Sequence, residues 1–119
     1  MPRACASTAS RTTAIAPAFL AAYESGRELY VRERRVADAD RAIEYRRNEI
    51  ARLESSIASR AFVLANNSAT PEERTQALLD TRQHAERIGR LRAEISSLEQ
   101  ERARYAQELE VYRSTVAAR

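Results

Sequence analysis

Leu29, Val36, Ile43, Ile50, Ile57 and Leu64 recur at intervals of seven, with mainly polar and charged residues between them. A second series, Ile88, Leu91, Ile95, Leu98, Tyr105, Leu109, Tyr112 and Val116, keeps the alternating three-and-four spacing that turns one helix face toward a partner helix. Two such stretches in one chain predict an all-α fold: a long antiparallel two-helix coiled-coil hairpin with a disordered N-terminal tail. The predicted hairpin seam is Leu29, Val36, Ile43, Ile50, Ile57 and Leu64 against Ile88, Leu91, Ile95, Leu98, Tyr105, Leu109 and Tyr112.

The breaks in the pattern set the boundaries. Residues 1–16 are rich in Ser, Thr and Ala and read as a disordered tail, leaving residues 17–119 as the hairpin. Pro17 suits the first helical turn, where a missing N–H costs nothing. From about 17 to 65 only Gly26 interrupts the helical pattern, at a cost of ~1 kcal/mol. Asn66-Asn67-Ser68-Ala69 ends it, so the turn occupies about 66–70. Thr70 then reads as an N-cap, Pro71 as the first helical residue and Glu73 as the capping-box partner, which starts a second helix over about 71–114.

A short turn between two long helices makes them fold back on each other. With the turn centred near Ser68, residues whose numbers sum to about 138 lie opposite, among them Ile50 with Ile88, Ile43 with Ile95, Leu29 with Leu109 and Ala22 with Val116. Arg46 and Arg102 fall at seam positions, where they are expected to bury their stems, keep their heads wet and fix the register.

Composition narrows the function classes. Of 119 residues 31% are charged and 6% aromatic, with two Gly and three Pro, a profile of long solvated helices in place of a thick core. Every basic side chain is Arg, which reads first as codon bias of a GC-rich bacterial genome. The net charge of +3 comes mostly from Arg3 and Arg11 in the first 18 residues; the rest carries 18 Arg against 17 acids. Such a body is a poor footprint for a polyanion, which calls for a one-sign stripe. Cys5 is the single cysteine, so no internal disulfide forms, and only four residues precede it, too few for a lipoprotein signal. No apolar run approaches the ~18 residues that span a bilayer.

Candidate chemistry is sparse. His84, the only histidine, sits on the second-helix seam without Cys, a second His or paired carboxylates at ligand or catalytic spacing. Two glycines make no phosphate loop. The expectation is a protein that is not an enzyme, with no catalytic, cofactor-binding or metal residues, no cofactor and no small-molecule substrate.

The informative local feature is an aromatic stripe. Phe19, Tyr23, Gly26 and Tyr30 are spaced i, i+4, i+7 and i+11, one line about 70° around the helix from the seam. A small residue inside an aromatic line lets another backbone approach closely, which makes these four a candidate docking stripe; packing against the end of helix 2 near Tyr112 is the alternative. Tyr45 and Phe62 also point away from the seam.

The string Ala18-Phe19-Leu20-Ala21-Ala22-Tyr23, then Gly26-Arg27-Glu28-Leu29-Tyr30, a long charged helix, Thr70-Pro71-Glu72-Glu73-Arg74 and a second charged helix resembles the C-terminal half of the bacterial family catalogued as domain of unknown function 2799. The resemblance covers about residues 17–119. Members of that family are small envelope lipoproteins, usually with a signal and a Gly-, Tyr- and Cys-containing N-terminal half, neither of which residues 1–16 resemble. It implies a periplasmic or cell-envelope location and no catalytic residue. Read as it stands, the chain predicts no export signal and is cytoplasmic if Met1 is its start.

Together these readings point to a structural or interaction module of uncharacterised role, associated with the cell envelope, acting as a homo-oligomer or through a protein partner bound by its helices, without a transmembrane segment. Nucleic acid is disfavoured; the alternative function is a cytoplasmic nucleic-acid-associated basic coiled coil.

Overall fold

The computed structural model describes the backbone of residues 2–118 and the side chains of residues 16–118. Two helices, α1 (Pro2–Ala65) and α2 (Pro71–Ala117), pack against each other as an antiparallel hairpin, with no strand among the described residues. The tail expected over residues 1–16 falls, except for Ala16, on residues whose side chains lie outside this description. α1 as bounded begins at Pro2, so Pro17 stands inside it where a first-turn position is expected. There it has no N–H to donate to the carbonyl of Thr13, so the helix lacks one backbone bond at this point.

The turn is built from backbone and side-chain caps. The Asn66 N–H donates to the Val63 carbonyl (3.1 Å) and the Ala69 N–H to the Asn66 carbonyl (3.2 Å), while the Asn66 side-chain oxygen accepts from the Ser68 N–H at 2.9 Å. These bonds satisfy groups that a helix end otherwise leaves orphaned. Thr70 caps α2: its Oγ1 accepts from the Glu73 N–H at 3.1 Å, and its carbonyl accepts the first helical bond from Arg74 at 3.0 Å. No basic side chain stands in the last turn of α1. Arg74 supplies the cation instead, its Nη2 donating to the Asn66 carbonyl at 3.2 Å.

The hairpin divides into two compact units. The loop unit, Ala37–Arg104, holds the buried apolar residues Ala39, Ile43, Ala77, Ile88, Leu91 and Ile95; Leu91 is 1% exposed. Ile50, Ile57, Leu64 and Leu98 are half-buried beside them. Ala39 and Ala77 do not stand out as seam residues in the heptad of large side chains. They follow Val36 and Arg74 by three, the second seam position of a heptad, and their small side chains allow close helix approach.

The terminal unit, Met1–Val36 with Tyr105–Arg119, has one buried apolar residue among those described, Leu109. Leu29, Val36, Tyr105 and Tyr112 are half-buried, and residues 17–24 are exposed. Here the expected layer of Ala22 and Val116 is open, for both are exposed.

Candidate interaction surface

Cross-helix charge pairs line the seam of the loop unit. If Ile43, Ile50, Ile88 and Ile95 take the a position of the heptad, then Arg47 and Glu99, and Glu54 and Arg92, are e positions, and Glu49 and Arg87 are g positions. Antiparallel coils bring e to e and g to g. Arg47 Nη2 lies 2.9 Å from Glu99 Oε1 and Arg92 Nη2 3.3 Å from Glu54 Oε1. Arg87 places Nε and Nη2 at 3.1 and 3.0 Å from Glu49 Oε1. The residue-number sums run from 136 for Arg87 with Glu49 to 146 for Arg47 with Glu99 and Arg92 with Glu54, against the 138 expected from the turn.

Arginines also enter the seam itself. Arg32, Arg46 and Arg60 occupy d positions fourteen residues apart and each side chain is about one-third exposed. Each guanidinium holds the carbonyl one turn back on its own helix: Arg32 to Glu28 at 3.2 Å, Arg46 to Ala42 at 3.0 Å and Arg60 to Ser56 at 3.2 Å. Each also reaches α2. Arg46 Nε meets Glu94 at 2.8 Å, Arg60 Nε meets Asp80 at 3.3 Å, and Arg32 lies 4.3 Å over the Tyr112 ring. Arg46 thus behaves as a snorkelling seam arginine, whereas Arg102 is exposed and pairs with Asp40 from outside. Arg32 and Arg60 carry the same signal as Arg46, three residues after an apolar heptad position, which reading only the apolar series hides.

In the terminal unit aromatic rings take the place of aliphatic layers. The Tyr112 hydroxyl donates to the Ser25 carbonyl at 3.0 Å, Arg35 lies 5.8 Å from the Tyr105 ring centroid, and Arg113 reaches Glu33 at 3.2 Å. A shallow groove lined by Arg32, Gln107, Glu108, Val111, Tyr112 and Thr115 runs beside them.

The candidate stripe is on the surface. Phe19, Tyr23 and Tyr30 are 67%, 60% and 59% exposed. Gly26 is exposed, and a Cβ added there would meet nothing within 4 Å. Arg34 Nη1 donates to the Tyr30 hydroxyl at 3.2 Å, which steadies the last ring of the line. Tyr45 and Phe62 are also exposed, as are Leu78 and Leu79.

His84 is half-buried on the α2 seam. Among the described residues no group of three or more His, Cys, Asp or Glu is placed to hold a metal ion, and no helix is long and apolar enough to cross a membrane. Arg35 pairs with Glu108, Arg46 with Glu94 and Arg47 with Glu99, and Arg34 donates to the Tyr30 hydroxyl. Compared with known proteins, the chain matches no family model, no curated protein and no solved structure.

Proposed function

We propose that this chain is a non-enzymatic interaction module that assembles with a second copy of itself through the outer face of α1, and that it works at the bacterial cell envelope. The observation that carries the assembly is the exposed line of Phe19, Tyr23 and Tyr30 with an open glycine inside it. The line is self-complementary. If α1 of a second copy runs antiparallel about a dyad between residues 24 and 25, Tyr23 of each copy meets Gly26 of the other, and Phe19 meets Tyr30. Tyr23 faces the open glycine and Phe19 faces a second ring, each contact made twice about the dyad as in an isologous interface.

The rim favours the same occupant. Residues 16–36 carry Glu24, Glu28 and Glu33 against Arg27, Arg32, Arg34 and Arg35, so two copies approach without a strong like-charge field. Aromatic residues are also the usual anchors of protein interfaces.

Light scattering at tens of micromolar tests the assembly. The expected mass is a multiple of the 13.4 kDa chain, and Tyr23→Ala with Tyr30→Ala is expected to return it to one chain while helical circular dichroism stays high. A single-chain mass for the unaltered protein refutes the assembly. An unaltered mass in the double variant assigns it to another face. The envelope location rests on the resemblance of residues 17–119 to the lipoprotein family, and recovery of the native protein only from the soluble cytoplasmic fraction of its host would overturn it.

A further inference from the structure

We infer that the charges of the loop unit encode a single alignment of its seam, so that the seam takes α2 in one register and rejects a parallel α1 or a slipped α2 from a second copy. This goes beyond the assembly through the outer face, and concerns a different surface.

In a heptad coil the competing alignments differ by seven residues, because a slip of one heptad restores every a and d position. Slide α2 one way and Arg60, now paired with Asp80, faces Arg87; Glu54 leaves Arg92 for Glu99; Glu49 leaves Arg87 for Glu94. Slide it the other way and Arg46 leaves Glu94 for Arg87, Arg47 leaves Glu99 for Arg92, and Glu49 faces Asp80. In the observed alignment every one of these pairs is opposite in sign and within 3.3 Å. Each slip therefore trades three attractive contacts for three like-charge ones, two of the six at half-buried seam arginines, and keeps one attractive seam contact, Arg46 with Glu101 in the first slip and Arg60 with Glu73 in the second. Arg87 and Glu49 appear among the clashes in both directions, which makes that pair the centre of the code.

A parallel α1 from another copy fails for the same reason. It would set Arg46 against Arg46 and Arg60 against Arg60 at d layers, where the side chains are two-thirds buried. Seam polar groups are known to specify register and partner at some cost in stability. Without them the apolar heptads alone would accept staggered partners, and staggered head-to-tail pairing produces open chains in place of closed assemblies.

The charge swap Glu49→Arg with Arg87→Glu separates register coding from simple pair strength. The swap rebuilds the native pair with its signs reversed and leaves composition unchanged. It also makes both slips attractive at these positions: the carboxylate introduced at position 87 would meet Arg60 or Arg46, and the guanidinium introduced at position 49 would meet Glu94 or Asp80. The expected result is wild-type helical circular dichroism with larger, concentration-dependent species in sedimentation velocity. A wild-type size distribution overturns the inference. Arg46→Leu, Arg60→Leu and Arg87→Leu together provide the second reading and stand if the swap does not fold: they should melt at or above the wild-type temperature and show the same larger species, and a wild-type distribution again refutes the coding. Both are compared with the unaltered protein and repeated with Tyr23→Ala and Tyr30→Ala, so a failure of the outer-face assembly leaves the seam result readable.

Discussion

The loop unit and the terminal unit are cut from the same two heptad helices yet close their seams with different materials. Between residues 37 and 104, six buried aliphatic side chains are flanked by guanidinium–carboxylate pairs. In the terminal unit Leu109 alone is buried among the described residues, and half-buried Leu29 and Val36 share the remaining seam with Tyr105 and Tyr112, which lie under Arg35 and Arg32. An aliphatic layer excludes water and favours one packing. A ring with an arginine over it keeps one edge wet and tolerates a wider helix separation. Stability is therefore concentrated in the loop unit, while the terminal unit leaves large apolar side chains such as Phe19, Tyr23 and Tyr30 exposed.

Leu91→Ala and Leu109→Ala break the comparison most directly. Leu91 touches almost no solvent, so its truncation is expected to cost about 3–4 kcal/mol by urea unfolding. The same change at Leu109, which is slightly exposed, is expected to cost about 2 kcal/mol, with the loss of amide protection confined to the terminal unit in hydrogen exchange. Equal costs at the two positions would erase the distinction between the units. A smaller effect sharpens it: Tyr112→Phe removes only the hydroxyl that holds Ser25, at an expected ~0.5–1 kcal/mol. Faster exchange of amides near Ser25, with those near Leu91 unchanged, is the signature; uniform acceleration would mean that the units open together.

Much of the architecture is legible in the residues. The apolar heptads predict the hairpin, and Asn66 to Glu73 predicts where it turns, because both signals are local and repeat the rules of helix geometry. The side-chain details of the seam are less visible. Ala39 and Ala77 are buried although nothing in their size announces a core position, and Val116 is exposed although it continues a series of seam residues. Burial at a heptad position depends on what stands across from it, which the residue's own place in the series does not tell. The stripe of Phe19, Tyr23, Gly26 and Tyr30 is readable as a surface because its angle from the seam follows from about 100° per residue. The arginine series at 32, 46 and 60 is harder to see, since a charge at a seam position looks like an interruption until its acceptors are located.

A seam this narrow has a thermal consequence. Heat capacity rises on unfolding by about 0.45 cal/mol/K for each Å² of apolar surface exposed. Two helices that bury seven apolar side chains among the described residues release little such surface. The stability curve of this protein should therefore be shallow and broad, with a weak tendency to unfold in the cold. Its ion pairs push the same way, because the desolvation they suffer becomes less costly on heating.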